Sequence, residues 1–412
     1  MVLAKLSPAV RQYILVTGNY WAFTLTDGAL RMLVVLHFYS LGYSGLSIAM
    51  LFVFYEVFGV FTNLIGGWLG ARIGLNKTMN IGLFLQVIAL SMLLMPAEYL
   101  VVPWVMAAQA LSGIAKDLNK MSAKSSIKML VTSEAQGTLF KWVALLTGSK
   151  NALKGLGFFI GGLLLSLFGF QIAILSMAVM LLLVWSLSVI KLKQDLGKSS
   201  AKPKFNEMLS KSRAINILSA ARMLLFGARD VWFVIALPLF LASQLGWDHW
   251  TVSGFLALWV IGYGGVQSLA PLVLGNSKIP DGKTVTFWAL LLCTIPGLIA
   301  IALAANWQIE LALLGGLLVF GAVFAINSSV HSYLIVSYAK SDGVSMDVGF
   351  YYMANAMGRL LGTVLSGWLY QSAGLISCLW VSTAMLVITV CISGLLPEMN
   401  TKANKATKPA PK

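Results

Sequence analysis

The sequence predicts an all-α membrane protein with twelve transmembrane helices in two pseudo-symmetric six-helix bundles. Of its 412 residues, 58% are hydrophobic and only 10% are charged, whereas soluble domains carry about 25% charged residues. Apolar stretches of about 20 residues recur along the chain, each long enough to cross a hydrocarbon core of about 30 Å as a helix. These stretches lack the alternation of apolar and polar residues that is typical of barrel strands.

The apolar stretches place the predicted spans in chain order. Six precede a long polar interval and six follow it. They cover residues 12–38, 45–70, 79–97, 99–121, 139–168, 170–192, 214–243, 250–275, 285–305, 308–333, 346–372 and 375–396.

Lysine and arginine orient the predicted spans. With the N-terminus inside, the outer loops contain neither residue type, only Glu98, Asp248, His249 and Glu310. The positive-inside rule then places both termini in the cytoplasm, and we expect a multi-pass protein of the bacterial cytoplasmic membrane. The inner loops and tail hold Arg72, Lys77, Lys124, Lys128, Lys191, Lys193, Lys198, Lys202, Lys204, Lys211, Lys278, Lys283, Lys340, Lys402, Lys405, Lys408 and Lys412.

The polar interval divides the chain into two bundles. We expect an N-terminal bundle at 1–192, a cytoplasmic linker at 193–213, a C-terminal bundle at 214–396 and a disordered basic tail at 397–412. Internal similarity supports the halves, since Asp27 and Asp230 are 203 positions apart. Glycine pairs seven residues apart also recur near span ends, at Gly67/Gly74, Gly162/Gly169 and Gly367/Gly374, as repeated three-helix units predict.

Charged residues inside the first and seventh spans are the strongest functional signal. A charge at the bilayer centre costs about 2.5–3.5 kcal/mol on insertion scales, so such a side chain avoids lipid. Asp27 and Arg31 share one helical face, where they either pair with each other or serve an anionic ligand. Arg222 and Arg229 also share a face, and Asp230 partners only one of them at close range. A guanidinium that is left over suits phosphate-like groups and carboxylates.

Lysines add to this signal in three further spans. In the fourth span, Lys116, Lys120, Lys124 and Lys128 follow at intervals of four. We interpret Lys124 and Lys128 as inner anchors, whereas Lys116 and Lys120 are candidates for an electrostatic funnel. Lys150 and Lys154 in the fifth span lie too deep to reach the interface easily, so we expect them to face an aqueous cavity with Arg359 of the eleventh span.

Three carboxylates are candidates for proton coupling. They are Asp27, Glu56 and Asp230. Glu56 has no obvious partner in its own span, and a neutral carboxyl hydrogen-bonded to a neighbouring helix is an equal alternative.

Other functional classes find little support. Cys293, Cys378 and Cys391 form no cluster, and His37, His249 and His331 form no catalytic or metal-binding pattern, so we expect neither an enzyme nor a metal or other cofactor. The sequence has no P-loop for direct use of ATP. We attribute the net charge of +15 to membrane-facing loops and an internal lining rather than to nucleic-acid binding. A channel and an antiporter for phosphate esters or other organic anions remain as rivals.

Two resemblances sharpen the prediction. The stretch GGWLGARIGLNK, with Gly67, Arg72, Gly74 and Lys77, resembles the inner loop motif of the major facilitator superfamily, although Ala71 replaces its usual acidic residue. This resemblance implies alternating access by two rocking halves, and the missing acid implies a different latch between them. We expect a monomer in the lipid bilayer.

Longer strings are similar to the ArsJ family of organoarsenical efflux permeases. They include LVTGNYWAFTLTDGALRMLVVLHF, PWVMAAQALSGIAKDLNKMSAKSSIK, LTGSKNALKG and LLFGARDVWFVIALP. This resemblance implies export of 1-arseno-3-phosphoglycerate, a product of glyceraldehyde-3-phosphate dehydrogenase acting on arsenate, and therefore arsenate resistance. Independently, a ligand with several anionic groups needs several cations to desolvate it. The candidates are Arg31, Lys116, Lys120, Lys150, Lys154, Arg222, Arg229 and Arg359.

Overall fold

The computed structural model describes residues 7–42, 51–131, 135–192, 196–200, 203–204, 207–209, 212–275 and 279–397. Their regular structure is helical, with one 3₁₀ turn at Ala97–Tyr99. The α-helices are α1 Pro8–Ser40, α2 Val53–Ile73, α3 Leu75–Met92, α4 Val102–Leu130, α5 Gln136–Lys191, α6 Arg213–Phe233, α7 Ala236–Gln244, α8 His249–Val273, α9 Gly282–Ala304, α10 Ile309–Tyr338 and α11 Val344–Ser393.

Two long helices each contain a pair of predicted spans. Helix α5 turns at Gly169, which has φ 73° and ψ 174°, and α11 turns at Gly374, which has φ 74° and ψ −174°. Glycine adopts this positive φ without the clash that a Cβ would cause. With α6 and α7 forming one interrupted span, the described helices supply the twelve predicted segments, and the two matching kinks reproduce the predicted repeat.

By length and composition alone, six helices of the described part are apolar enough to cross a membrane. They are the continuous α5, the combined α6 and α7, α8 from Gly254, α9, α10 and the continuous α11. Helices α1, α2 and α4 carry charged residues inside the bundle, among them Asp27, Glu56 and Lys116. The apolar signal of the N-terminal half is correspondingly weaker.

Helix packing follows the two halves of the chain. In the first half α1 packs on α5, and α4 packs on α2 and α3. In the second, α6 packs on α11, and α9 packs on α10 and α11. The principal contacts between the halves join α5 to α8 and α2 to α11.

The halves meet closely at the end of the molecule that carries the linker, which we call the linker end. The Ser345 hydroxyl donates to the Gly67 carbonyl over 2.7 Å. A Cβ on Gly67 would lie 2.5 Å from the Ser345 carbonyl oxygen, so glycine is what lets α2 and α11 approach here.

Described parts of the linker dock onto the same end. The Ser199 amide donates to the Ala71 carbonyl over 2.8 Å, and the Trp68 indole donates to the Pro203 carbonyl over 2.9 Å. The Ser200 amide donates to Asp342 of the other half over 3.0 Å. The hydrogen bond between Ser199 and Ala71 therefore joins the linker to the position where the motif lacks its acid. The remaining predicted linker residues, and tail residues 398–412, lie outside the described residues.

The other motif residues lie at the surface or at the helix junction. Gly74 ends α2 with φ 100° and caps α3. The Arg72 guanidinium lies 5.1 Å from the centre of the Trp68 ring. Arg72, Lys77 and Lys198 contribute to a groove of about 610 Å³, so these residues lie apart from the interior charges.

Candidate functional site

The interface between the halves contains a chain of ion pairs. Arg31 contacts Glu56 at 3.3 Å, and Arg359 contacts the same carboxylate oxygen at 3.5 Å. Arg359 also donates to Asp230 over 3.1 Å, and Arg229 donates to Asp230 over 2.6 Å. The chain runs from α1 through α2 and α11 to α6, so Glu56 and Arg359 link the two halves directly.

These pairs decide between one pair of alternatives and refine two predictions. Asp27 accepts a hydrogen bond from the Tyr55 hydroxyl over 2.7 Å, and Arg31 contacts Glu56, so the alternative in which Asp27 and Arg31 pair with each other is not found among the described contacts. Within its own described helix Glu56 has no arginine partner, as expected, and it contacts arginines on two neighbouring helices. Asp230 pairs with one of the two arginines of its own span, as expected, and additionally with Arg359.

The ion-pair chain is partly exposed to solvent. Arg31 is 27% exposed, and Glu56 and Arg359 are each 33% exposed. Asp230 is fully buried beneath its two arginines. Partly exposed ion pairs contribute little net stability, which makes them exchangeable for a ligand.

Lysines surround this chain without forming ion pairs of their own. The Lys116 ammonium lies 3.7 Å from the centre of the Tyr55 ring, a cation–π distance. That ring also lies 4.7 Å from the Arg31 guanidinium. Lys154 is half-buried on α5, where Gly28 and Gly157 let α1 and α5 approach closely. Their positive charges are available to an anion.

A second set of charges lies nearer the linker end. Lys120 pairs with Asp117 at 2.6 Å and lies 4.9 Å from the centre of the Tyr352 ring. Lys124 is 3% exposed and donates to the Tyr352 hydroxyl. Lys128 donates to the Ser337 carbonyl over 2.9 Å. The interpretation of Lys124 as an inner anchor was therefore wrong, because its side chain is buried against the opposite half. Lys128 also contacts the opposite half but is only partly buried, so its anchoring role stays a prediction.

Neutral side chains complete the contact between the halves. Lys150 donates to Asn151, and Asn151 donates to Gln267 over 2.7 Å. Gln267 in turn donates to Ser328 over 3.1 Å. This hydrogen-bond chain continues to Arg222, which is 3% exposed and donates to Ser328 and to Asn355. The predicted cations Lys150 and Arg222 are therefore joined through amides and a hydroxyl.

Several residues of this region were missed by sequence reasoning. Asp117 is a carboxylate inside a predicted span, and that signal was present in IAKDLNK. The tyrosines Tyr55 and Tyr352 and the polar residues Gln267, Ser328 and Asn355 gave no comparable signal, because isolated polar residues in spans also serve helix packing. Among the described residues, no group of three His, Cys, Asp or Glu side chains is arranged to hold a metal ion.

Comparisons with known structures agree on the fold. The chain superimposes on the human organic anion transporter MFSD10 (TETRAN) with a TM-score of 0.76 and 14% identity, covering 94% of this chain and 100% of that one. A bacterial homologue of the iron transporter ferroportin in the outward-facing state gives 0.74 and 14%, with 92% and 98% covered. The Escherichia coli fucose:proton symporter FucP gives 0.74 and 12%, with 95% and 100% covered.

Sequence comparison supplies the family. A search of curated proteins gives no match. The sequence profile of the Major Facilitator Superfamily matches residues 16–329, which is more than half of the chain. On that match, and on a fold that agrees with it, the chain is a multi-pass secondary transporter rather than an enzyme, and it belongs to the Major Facilitator Superfamily.

Proposed function

We propose that this transporter exports 1-arseno-3-phosphoglycerate by proton-coupled alternating access and thereby confers arsenate resistance. The observation that carries the proposal is the excess of positive charge at the interface between the halves. In the interior of this interface, away from Lys128 at the linker end, nine cationic side chains of the described residues lie against four carboxylates. The cations are Arg31, Lys116, Lys120, Lys124, Lys150, Lys154, Arg222, Arg229 and Arg359, and the carboxylates are Asp27, Glu56, Asp117 and Asp230.

This excess favours a cargo with several negative charges. A phosphate ester carries about −1.5 to −2 at neutral pH, and an arsenate ester adds a comparable group. Removing such a ligand from water is strongly unfavourable unless several cations replace its hydration. The resemblance of the charged spans to organoarsenical permeases supports 1-arseno-3-phosphoglycerate as the cargo within that class.

Glu56 is the group most directly placed to couple ligand and proton. It accepts from Arg31 of its own half and Arg359 of the other. A ligand oxyanion that binds these guanidiniums displaces the carboxylate, which then gains a proton because it has lost its counter-charges. Asp27 and Asp230 are further candidates, held by Tyr55 and by two arginines respectively.

The contacts between the halves fit the alternating-access part of the proposal. The structure has the linker end closed by α2 against α11 and by α4 against α10 and α11. In the proposed cycle these contacts open to load cargo from the cytoplasm and close before its release outside. Bundles at 1–192 and 214–396 move as the two halves, joined by the linker at 193–213, with residues 397–412 as a disordered tail.

The proposed setting follows from the charge bias of the loops. The protein acts as a monomer in the bacterial cytoplasmic membrane with both termini in the cytoplasm. A glyceraldehyde-3-phosphate dehydrogenase acting on arsenate supplies the cargo. Outside the cell, the unstable ester releases arsenate.

The second candidate function is an antiporter for phosphate esters or other organic anions. It is favoured by the same cationic interface, because positively charged side chains select ligands by their negative charge, and phosphate and arsenate groups carry similar charges. The structural likeness to an organic anion transporter agrees with this alternative at the level of the fold.

Everted vesicles test the export proposal. Vesicles containing the protein are supplied externally with dehydrogenase, glyceraldehyde 3-phosphate, NAD and arsenate, and their arsenic content is measured under an imposed pH gradient. We expect accumulation that collapses when the gradient is dissipated. Folded protein that accumulates no arsenic contradicts the cargo, and competition by plain 3-phosphoglycerate at equal affinity favours the second candidate. Flux that ignores the pH gradient indicates a channel.

A further inference from the structure

The interfacial cations fall into two layers along the bundle axis. Arg229 and Arg359 lie seven residues beyond Arg222 and Tyr352 on their respective helices, which corresponds to about 10 Å at 1.5 Å per residue. Lys154 lies about 6 Å beyond Lys150 by the same measure. We define the outer layer as Arg31, Lys116, Lys154, Arg229 and Arg359, and the inner layer, nearer the linker end, as Lys120, Lys124, Lys150 and Arg222.

The two layers differ in their acids. The outer layer contains Asp27, Glu56 and Asp230, two of which are in direct ion pairs. Within the described residues, the inner layer has Asp117 as its paired carboxylate, and Asp117 contacts Lys120 alone. The inner layer therefore holds four cations against one carboxylate.

Burial makes this imbalance costly. Lys124 and Arg222 are each 3% exposed, and they donate hydrogen bonds to the neutral side chains of Tyr352, Asn355 and Ser328. Lys124 lies within electrostatic range of Arg222, Lys150 and Lys120. Buried charges are normally paired with opposite ones, so this arrangement of cations beside neutral groups suits an oxyanion.

We propose that the inner layer is a separate oxyanion subsite, so that the transporter prefers ligands with an oxyanion at each end of a short chain. One end occupies the outer layer, where it displaces Glu56 from the arginines. The other end accepts hydrogen bonds from Lys124 and Lys150 in place of the neutral groups that now contact them. This inference rests on the proposed export of an anionic cargo and specifies the ligand's shape.

Two stable probes of equal chain length test the subsite. Propane-1,3-diphosphonate carries two oxyanions and propylphosphonate carries one. Their affinities for the purified full-length transporter in detergent are measured by titration calorimetry at fixed pH and salt, because ionic strength screens exposed charges. We expect the diphosphonate to bind at least about tenfold more tightly, equivalent to about 1.4 kcal/mol.

Substitutions then assign the preference to the inner layer. Lys124→Gln and Arg222→Gln are expected to reduce the affinity ratio to below about threefold, and size-exclusion chromatography in detergent shows whether the variants are folded. Arg222→Lys keeps the charge and should retain most of the preference. Lys141→Gln removes an exposed cation from α5 and serves as the matched control.

The outcomes separate this inference from the export proposal. Equal affinities in the wild type, or a preference that survives both Gln variants, overturns the inner subsite. If either Gln variant also loses propylphosphonate binding, the test is the affinity ratio of Arg222→Lys. This variant keeps the positive charge, so loss of its preference for the diphosphonate overturns the inference that inner-layer charge causes the preference. Arsenic export without diphosphonate preference refutes only the two-layer arrangement, and preference without export refutes only the cargo.

Discussion

Replacing Lys124 with methionine is expected to stabilise the transporter while abolishing its transport. Lys124 is 3% exposed, and its ammonium donates a hydrogen bond to the neutral Tyr352 hydroxyl. Methionine has a similar unbranched length and no charge, so it fills the same space without requiring an anion. A residue retained only for stability would give the opposite result.

The magnitude follows from the charges around Lys124. Two like charges about 8 Å apart at an effective dielectric constant of about 20 repel each other by roughly 2 kcal/mol. Lys120, Lys150 and Arg222 all act on Lys124 with this sign. Methionine removes these repulsions but also loses the hydrogen bond to Tyr352, which costs about 1 kcal/mol. Asp117 pairs with Lys120 and offsets the repulsion from that lysine, so the two remaining repulsions less the lost hydrogen bond give a net gain of about 3 kcal/mol.

Thermal unfolding without ligand measures the effect. Tryptophan fluorescence of the detergent-solubilised protein, at one scan rate, should show Lys124→Met unfolding several degrees above the wild type. Lys141→Met, at an exposed position on α5, should leave the transition within about a degree. A transition that falls for Lys124→Met by several degrees would refute the reasoning, because it would make the ammonium a structural group.

Three other substitutions test separate contacts. Gly67→Ala places a methyl group 2.5 Å from the Ser345 carbonyl oxygen, so α2 and α11 should separate. A cysteine introduced at the linker end should then be labelled several-fold faster. Unchanged labelling would contradict the closed contact. Glu56→Gln removes the carboxylate that competes with a ligand for two arginines. Propylphosphonate should therefore bind several-fold more tightly, and transport should depend less on pH. Weaker binding would rule out the displacement of Glu56 by a ligand oxyanion. Trp68→Phe loses the hydrogen bond to Pro203 and should speed proteolysis within the linker severalfold. Cleavage at the wild-type rate would show that docking of the linker does not depend on this hydrogen bond.

The sequence predicted the architecture because hydropathy and glycine periodicity are local signals. Twelve segments, two halves and the glycines at the kinks all follow from composition within about 20 residues. The repeat placed Gly169 and Gly374 near span ends, and the structure adds that both are kinks of closely matching conformation.

The partners of the interior charges were less predictable. Asp27 and Arg31 are one turn apart, and that spacing favours a pair. The structure instead joins Arg31 to Glu56 and Asp27 to Tyr55, because neighbouring helices supply closer groups. Lys124 resembled an interfacial anchor for the same reason, since the sequence does not reveal which helix covers it. Long-range packing decides both cases.

Arsenic uptake by two lysine variants tests the central claim most directly. Lys154 lies half-buried at the interface and Lys141 lies exposed on the same helix, so their Gln variants remove equal charge from different places. In everted vesicles with the dehydrogenase reaction outside, we predict that Lys154→Gln loses most of the arsenic uptake and Lys141→Gln keeps the wild-type rate. Equal uptake by both variants and the wild type would contradict the claim that interfacial positive charge binds the cargo.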